Sequence, residues 1–296
     1  MPEQKKQKAW PWVWLGVAAG ALALWNGRYR LREGRFIVQP GKALITGASS
    51  GIGASFARQL AARGYHLTLV ARRAARLESL AAELRERYKV AVDTLPADLT
   101  DEAERGLVER TLSAGQFDLL VNNAGFGLLG PFAQMDPARQ AAMVRLHDEV
   151  SVSLTRAALP GMISRGRGGI IFTSSTTAFL PMFNNAVYSA SKAFLNNFAE
   201  ALAWELDGTG VAVQSLCPGF TISEFHKDMP DLQSVDLPPF LWMEAEAVVD
   251  QSLRALGSGQ VIFVPGPVNR LIAFFARLPV THSIGLWIAK YLLTRR

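Results

Sequence analysis

Short apolar runs alternate with longer segments of helical pattern through the central part of the chain. The first run, Lys42 to Ile45, is followed by residues 54–63, which have the composition of a helix. The runs that predict strands cover residues 42–45, 66–70, 90–99, 117–121, 169–175, 211–216 and 260–264. Alternating strands and helices predict an α/β fold: a doubly wound parallel sheet with helices on both faces and ligands at the carboxyl ends of its strands.

A glycine-rich turn, Thr46-Gly47-Ala48-Ser49-Ser50-Gly51-Ile52-Gly53, joins the first strand to the first helix. Gly47 can adopt backbone angles closed to other residues, Gly51 permits close approach of a ligand, and Gly53 permits tight packing of helix on strand. The helix N-terminus offers N–H groups and partial positive charge to a pyrophosphate. The turn therefore predicts a dinucleotide site, the alternative being a plain strand–turn–helix connection.

The second strand ends at Ala71 and is followed by Arg72 and Arg73. A dinucleotide fold that binds NAD places an acid near this point, on the adenosine ribose 2′-hydroxyl. Here the acid is missing, and a guanidinium group suits a 2′-phosphate. The sequence predicts NADP(H) in preference to NAD(H), with Arg72 as the contact; the alternative is that these arginines begin a solvated helix.

The third strand ends in Asp98, which is predicted to accept a hydrogen bond from the adenine amino group or to cap the next helix. The fourth strand ends in Asn122-Asn123-Ala124-Gly125.

Five motifs together identify a resemblance to the short-chain dehydrogenase/reductase family of the classical type. They are TGASSGIG at 46–53, NNAG at 122–125, the serine segment at 173–175, YSASK at 188–192 and CPG at 217–219. The resemblance covers roughly residues 38–265 and implies a Rossmann-type fold and hydride transfer between a nicotinamide and a carbonyl or alcohol.

Tyr188 and Lys192 are four residues apart, so on a helix they share one face with Cβ atoms about 5–6 Å apart. A lysine ammonium at that range is worth about 3 kcal/mol at an effective dielectric of about 20, which is about two pKa units. The spacing alone also fits a tyrosine and a lysine on an ordinary surface helix. With the catalytic interpretation, the pKa of Tyr188 is expected to be lowered towards a range where it exchanges protons at neutral pH.

The resemblance implies a role for each of these residues. Tyr188 gives its proton to the substrate carbonyl oxygen, Lys192 holds the nicotinamide ribose, and Ser175 hydrogen-bonds the developing oxyanion. Pro218 and the following residues close over the nicotinamide. The residues expected at the cofactor are Thr46, Gly47, Ser49, Ser50, Gly51, Ile52, Gly53, Arg72, Asp98, Asn123, Ala124, Gly125, Tyr188, Lys192, Pro218, Gly219, Thr221 and Ser223.

His147 stands where the family usually has an asparagine that helps to hold a proton-relay water. An imidazole titrates near neutrality and both donates and accepts hydrogen bonds, so we expect His147 to take part in the relay. The alternative is a polar helix residue with no part in catalysis.

Basic charge is concentrated at the two ends of the chain, although the net charge is +6. Residues 1–35 carry seven Lys/Arg and two acids, and residues 251–296 carry six Lys/Arg and no acid. A nucleic-acid binder would carry its basic surface on the folded domain, so this distribution argues against one. Basic and apolar ends together favour a membrane surface.

The nineteen uncharged residues 9–27 include four tryptophans and would span about 28 Å as a helix, close to the bilayer's hydrocarbon thickness of about 30 Å. They predict an uncleaved N-terminal anchor, with a cleaved signal peptide as the alternative. The basic residues that follow the run outnumber those before it, which places the domain on the cytoplasmic side.

The sequence thus predicts an anchor at 1–35, a catalytic domain at 36–267 with a lid at about 220–245, and an apolar, basic extension at 268–296. That extension is expected to form helices that lie on the membrane or pair subunits as a homodimer or homotetramer. The predicted activity is NADP(H)-dependent reduction or oxidation of a lipophilic ketone or alcohol, such as a 3-ketoacyl, steroid-like or retinoid-like molecule. The alternative is a catalytically weak nucleotide-binding sensor or scaffold. One cysteine and four scattered histidines predict no metal site.

Overall fold

The computed structural model describes residues 40–225 and 238–278. Its strands are β1 (Lys42–Thr46), β2 (His66–Ala71), β3 (Val92–Pro96), β4 (Leu119–Asn122), β5 (Gly168–Thr173), β6 (Val211–Leu216), β7 (Thr221–Ile222), β8 (Met243–Glu244) and β9 (Ile262–Phe263). Its α-helices are α1 (Gly51–Ala62), α2 (Ala74–Tyr88), α3 (Glu102–Ala114), α4 (Pro137–Val144), α5 (Val150–Ser164), α6 (Ala186–Glu205), α7 (Ala245–Gly257) and α8 (Pro267–Arg277). A π-helical turn, Arg145–Glu149, joins α4 to α5, and short 3₁₀ turns cover Phe132–Gln134, Thr176–Ala178 and Pro239–Leu241.

Seven of these strands form one parallel sheet in the order β3-β2-β1-β4-β5-β6-β9. The strand order reverses between β1 and β4, so the chain leaves these two neighbouring strands in opposite directions. A doubly wound sheet opens a crevice at this point, outside the carboxyl ends of the strands. The parallel sheet predicted from the apolar runs is confirmed, and the glycine-rich turn after β1 lies at that crevice.

The strands are buried on both faces because helices cover each side of the sheet. On β1, Leu44 and Ile45 are fully buried in two different hydrophobic clusters, one for each side. One cluster contains side chains of α1, α2 and α7, and Ile52 packs against it from the glycine-rich turn. The other contains side chains of α3, α5 and α6. Continuous apolar strands are what a sheet covered on both faces requires.

Some predicted boundaries differ from the structure. The third strand covers Val92–Pro96, shorter than the run 90–99, because the chain turns towards α3 after Pro96. The fifth strand ends at Thr173, before the two serines that follow it. Residues 221–222 and 243–244 form a separate two-stranded parallel ribbon, β7 with β8, beside the main sheet.

Residues 1–39, 226–237 and 279–296 lie outside the described part of the chain. The predicted N-terminal anchor, the middle of the predicted lid and most of the C-terminal extension therefore fall outside it. Within residues 40–225 and 238–278, no helix is long and apolar enough to cross a bilayer. The extension begins with α8, which leaves Leu271, Ile272 and Phe275 between 40% and 49% exposed.

Candidate active site

The glycine-rich turn adopts at Gly47 the backbone conformation that its sequence predicts, and Gly51 has a positive φ angle as well. Gly47 and Gly51 have positive φ angles of 64° and 53°, which side chains rarely allow. A Cβ atom on Gly53 would lie 2.2 Å from the carbonyl oxygen of Gly47, so the helix can pack this closely only with glycine there. A Cβ on Gly51 would lie 2.9 Å from Cβ of Ser223, so the segment after β6 crosses the turn at this glycine.

Hydrogen bonds between side chains and backbone join the ends of β1, β4 and β5. The Thr46 hydroxyl donates to the carbonyl oxygen of Val121 and accepts from the backbone N–H groups of Asn123 (2.9 Å) and Ala124 (3.0 Å). The Asn123 amide donates to the carbonyl oxygen of Thr46, and its Oδ1 accepts from the Thr173 hydroxyl. Thr46 and Asn123 thus fix the geometry of the crevice through contacts within the protein.

Helix α6 brings Tyr188 and Lys192 together beside Ser175, as the spacing predicts. Both side chains are buried, with 9% and 5% exposure. Lys192 Nζ lies 5.4 Å from the centre of the Tyr188 ring and donates to the carbonyl oxygen of Thr173 (2.9 Å). The Ser174 hydroxyl donates to the Lys192 carbonyl oxygen (2.8 Å), so the end of β5 holds the lysine at both its backbone and its side chain.

Burial governs the ionisation of this pair. It raises the pKa of Tyr188 to about 12, against the lowering effect of a hydrogen bond with Ser175. It lowers the pKa of Lys192 to about 8, while the charge of Asp148 acts in the opposite direction. The expected lowering of the Tyr188 pKa by Lys192 is therefore wrong for this structure. That expectation counted the attraction between the charges and left out the free energy needed to bury a phenolate.

His147 lies in the π-helical turn Arg145–Glu149, and both of its ring nitrogens contact other parts of the protein. Nε2 accepts from the backbone N–H of Phe126 (3.3 Å), which requires the proton to be on Nδ1. Nδ1 lies 2.9 Å from the Ser191 hydroxyl, which itself donates to the carbonyl oxygen of Tyr188. The imidazole thereby connects the turn to the first part of α6, and its ring packs edge-on against that of Tyr188.

Burial and the nearby charge of Lys192 lower the pKa of His147 well below its usual value. The expectation that this imidazole titrates near neutrality is therefore wrong, because a charged ring would be both desolvated and close to an ammonium group. Gly125 makes room for the ring, since a Cβ there would lie 2.7 Å from Nε2 of His147. The neighbouring Asp148 has a buried Oδ1 without a hydrogen-bond partner, and burial raises the pKa of its carboxyl group to about 6.

The two arginines after β2 have different surroundings. Arg72 is 73% exposed and pairs with Asp98 at 3.9 Å. Arg73 instead reaches the glycine-rich turn, where its Nη2 donates to the hydroxyls of both Ser49 and Ser50 at 2.8 Å. The arginine that contacts the glycine-rich turn is therefore Arg73, and the contact of Arg72 with the cofactor stays a prediction.

Asp98 makes a local turn. Its carboxylate accepts from the backbone N–H and hydroxyl of Thr100. Burial acts to raise the pKa of this carboxyl group, but these bonds, together with Arg72, hold it below the usual value. The N-cap of α3 is Asp101, which accepts from the N–H of Glu104. The interpretation of Asp98 as that helix cap is therefore wrong.

The chain after β6 runs from the serine segment to the glycine-rich turn. The carbonyl oxygen of Pro218 accepts from the N–H of Thr176, next to Ser175. Gly219 packs on Asn269 of α8, whose Oδ1 would lie 2.3 Å from an added Cβ. The Thr221 hydroxyl donates back to the carbonyl oxygen of Gly219. Of the two residues predicted to contact the carboxamide, Ser223 contacts the glycine-rich turn at Gly51. Thr221 lies on the segment between the serine residues and that turn.

An apolar cluster surrounds part of the Tyr188 side chain. Leu128, Met143 and Phe225 belong to this cluster, and the Phe225 ring centre is 5.8 Å from that of Tyr188. A shallow hollow beside it is lined by residues of the 128–143 and 184–188 segments. Within residues 40–225 and 238–278, no group of three His, Cys, Asp or Glu side chains is placed to hold a metal ion.

Three charged residues near the site were not identified from the sequence. Arg76 and Glu224 pair with each other beside Arg73, and Asp148 is electrostatically coupled to Lys192. The run of basic residues after β2 was a signal for Arg76. The other two meet partners far away in the chain, and no local pattern marks such contacts.

The sequence model of the short chain dehydrogenase family matches residues 41–233, more than half of the chain. A very-long-chain 3-oxoacyl-CoA reductase from Phaeosphaeria nodorum is 38% identical over 260 residues, which cover 86% of this chain and 72% of that protein. Another, from Pyrenophora tritici-repentis, is 38% identical over 178 residues, or 58% of this chain, and the match spans only 52% of that relative's length.

Among solved structures, a short-chain dehydrogenase from Sphingobium yanoikuyae in complex with NADPH superposes with a TM-score of 0.73 at 32% identity. The match covers 87% of this chain and 96% of that one. Both the sequence and the overall fold agree with these relatives. The chain belongs to the short-chain dehydrogenase family and is an oxidoreductase of carbonyl or alcohol groups that uses a nicotinamide cofactor.

Proposed function

We propose that the protein is an NADP(H)-dependent reductase of lipophilic ketones, with long-chain 3-oxoacyl thioesters as the first substrates to test. The observation that carries this proposal is the buried Tyr188, which lies beside Ser175 and Lys192 and also belongs to an apolar cluster. A polar proton donor at the edge of an apolar surface suits a carbonyl group on a long apolar chain. The names of the fungal relatives favour the same substrate class.

The residues of the crevice fit a cofactor that carries a pyrophosphate. Helix α1 begins at Gly51 with no acidic residue in its first turn, and its N-cap residue Ser50 makes no side-chain capping bond. Its first N–H groups and partial positive charge are therefore suited to an anion. Arg73, which donates to Ser49 and Ser50 of the glycine-rich turn, supports a preference for a cofactor with a 2′-phosphate. A bound cofactor supplies the hydride.

Tyr188 acts as the proton donor in this proposal. A pKa of about 12 keeps its hydroxyl protonated at neutral pH, so the group is ready to give its proton to the carbonyl oxygen of the substrate. Ser175 hydrogen-bonds the same oxygen as negative charge develops there. Lys192 uses one of its three protons on Thr173, so two remain for the nicotinamide ribose and for stabilising the tyrosinate that forms.

His147 supports this arrangement by position. Its hydrogen bonds to Ser191 and Phe126 hold the beginning of α6, and with it Tyr188, against the π-helical turn. We therefore place it in the site as a positioning residue and assign the proton transfer to Tyr188.

The two ends of the chain support association with a membrane, with the catalytic domain on the cytoplasmic side. Residues 9–27 form an uncharged run of transmembrane length, and α8 combines exposed Leu271 and Ile272 with the basic Arg270. Vesicle flotation of the full chain and of residues 36–296 tests the anchor. Flotation that needs residues 1–35 supports it, and equal behaviour of both proteins contradicts it. Light scattering in detergent distinguishes the proposed homodimer from a homotetramer and from a monomer.

The activity is tested by following NADPH consumption with long-chain 3-oxoacyl thioesters and bulky ketones. Tyr188→Phe should lower kcat by at least about 100-fold, because general acid catalysis contributes about 10²–10⁴-fold. Its NADPH affinity should be close to that of the unaltered protein. Tight NADPH binding without turnover that depends on Tyr188 would contradict the reductase proposal and favour a nucleotide-binding sensor.

A further inference from the structure

An acidic side chain lies among the basic groups beside the glycine-rich turn. Glu224 Oε2 accepts from Nη1 of Arg73 at 3.0 Å and from Nη1 of Arg76 at 2.5 Å. Arg73 also donates to the Ser49 hydroxyl through Nε (3.1 Å) and to Ser49 and Ser50 through Nη2. One carboxylate oxygen therefore receives two guanidinium groups, one of which is oriented by two hydroxyls.

These groups form a site for an anion. Two guanidinium groups converge on one point, and the first turn of α2, which carries Arg76, contains no acidic residue. Arg72 pairs instead with Asp98, and the two charges of that pair compensate each other. Without the Glu224 carboxylate, Arg73 and Arg76 would present two positive charges next to the Ser49 and Ser50 hydroxyls. Guanidinium groups and hydroxyls are donors that phosphate prefers.

The location of this anion site identifies its ligand. It lies between the carboxyl end of β2 and the glycine-rich turn, where a dinucleotide fold binds the adenosine ribose and its 2′ substituent. A 2′-phosphate there would meet the same guanidinium groups that now contact Glu224. Because a carboxylate and a phosphate repel each other at this range, both cannot occupy the site together.

We propose that Glu224 is a specificity-determining residue that competes with the 2′-phosphate of NADP(H) for Arg73 and Arg76. This inference rests on the proposed use of NADP(H). The segment that carries Glu224 crosses the glycine-rich turn at Gly51, where Ser223 makes the contact. Binding of NADP(H) thus exchanges one anion for another, whereas NAD(H) leaves the ion pairs of Glu224 in place.

The consequence is a defined asymmetry between the two cofactors. Removing the charge in Glu224→Gln should tighten NADPH binding by roughly 3- to 10-fold, the range expected for two partly exposed ion pairs. It should leave the Kd for NADH unchanged, because that cofactor has no group that competes with the carboxylate. The affinity for 2′,5′-ADP should increase in this variant as it does for NADPH, and the affinity for 5′-ADP should stay unchanged as it does for NADH.

The experiment is a fluorescence titration of the detergent-purified full chain with NADPH and NADH, together with competition by 2′,5′-ADP and 5′-ADP. Glu83→Gln is the matched control, since Glu83 forms a similar two-bond pair with Arg58 on the far part of α2. Thermal unfolding of each variant checks that it is folded. Arg73→Gln should lower NADPH affinity by a larger factor than NADH affinity, because Arg73 also holds the Ser49 and Ser50 hydroxyls that serve both cofactors.

Each outcome decides between the two proposals. If the unaltered protein prefers NADPH and Glu224→Gln leaves its ratio of Kd values for NADPH and NADH unchanged, competition by Glu224 is refuted and the NADP(H) preference is retained. If Glu224→Gln tightens both cofactors equally, Glu224 acts on the turn in general and the proposed competition is also refuted. If the unaltered protein binds both equally and the variant prefers NADPH, the competition is supported and the proposed natural preference is contradicted.

Discussion

The buried imidazole of His147 should make the stability of the protein depend on pH in a way that can be calculated. Its side chain is 1% exposed, and its Nε2 already accepts a hydrogen bond from the backbone N–H of Phe126. A second ring proton would have to be placed on that nitrogen, where it would face the N–H donor. We therefore expect the folded protein to keep His147 neutral while the unfolded chain takes up a proton below pH about 6.5.

The direction of this pH dependence follows from the lowered pKa of His147 in the folded state. The unfolded state binds more protons below pH about 6.5, so the free energy of unfolding decreases as the pH falls. From pH 7.5 to 5.5 the His147 contribution should decrease by about 1.4 kcal/mol, which is one pKa unit of proton binding by the unfolded chain. Asp148 acts in the opposite direction in the same window, since its pKa is raised to about 6.

Urea unfolding of the unaltered protein and of His147→Asn at pH 7.5 and 5.5 isolates this effect, because contributions from other groups are common to both. The variant should be less stable at pH 7.5 by about 1–3 kcal/mol, since it disturbs two buried hydrogen bonds. Its loss on acidification should be smaller than that of the unaltered protein by about 1.4 kcal/mol. Equal losses would refute the reasoning, as would a pKa near 6.5 in the pH–rate profile that disappears in the variant.

Three further predictions concern glycine packing and the carboxyl group beside Lys192. Gly53→Ala should destabilise the protein by about 1–3 kcal/mol and weaken NADPH binding, because its Cβ would lie 2.2 Å from the Gly47 oxygen. Gly106→Ala, the same change within α3, meets only the flexible end of an arginine among its near neighbours, and should stabilise by about 0.4–1 kcal/mol; urea unfolding distinguishes the two signs. Asp148→Asn should stabilise the protein at pH 8 by about 1 kcal/mol after allowance for solvent screening, with the gain vanishing near pH 4, because the folded state holds the carboxyl proton up to about pH 6. A gain that is equal at both pH values would contradict this account.

Patterns that act over a few residues were sufficient to predict the sheet, the glycine-rich turn and the proximity of Tyr188 and Lys192. Gly47 and Gly51 have positive φ angles, which glycine adopts more readily than other residues, so the glycines of the motif themselves predict the turn. In the same way, a separation of four residues brings Tyr188 and Lys192 together on any helix.

Other properties depend on contacts between distant parts of the chain. Which of two adjacent arginines faces the glycine-rich turn depends on where α2 begins, and Arg73 is its N-cap residue. The neutral state of His147 depends on Ser191 and Phe126, which belong to other elements. The burial that raises the Tyr188 pKa likewise comes from packing that no local spacing encodes.

The π-helical turn between α4 and α5 also bears on how the substrate site can diversify. A π turn holds one more residue than the α-helical turn it replaces, so deleting a single codon within Arg145–Glu149 would regularise the helix. The deletion would rotate α4 by about 100° relative to α5. Met143, which packs beside Tyr188 in the apolar cluster, would turn away and another α4 side chain would take its place. Gain or loss of one residue here would therefore change which α4 side chains line the apolar cluster beside Tyr188, while the sequence of α6 stays the same.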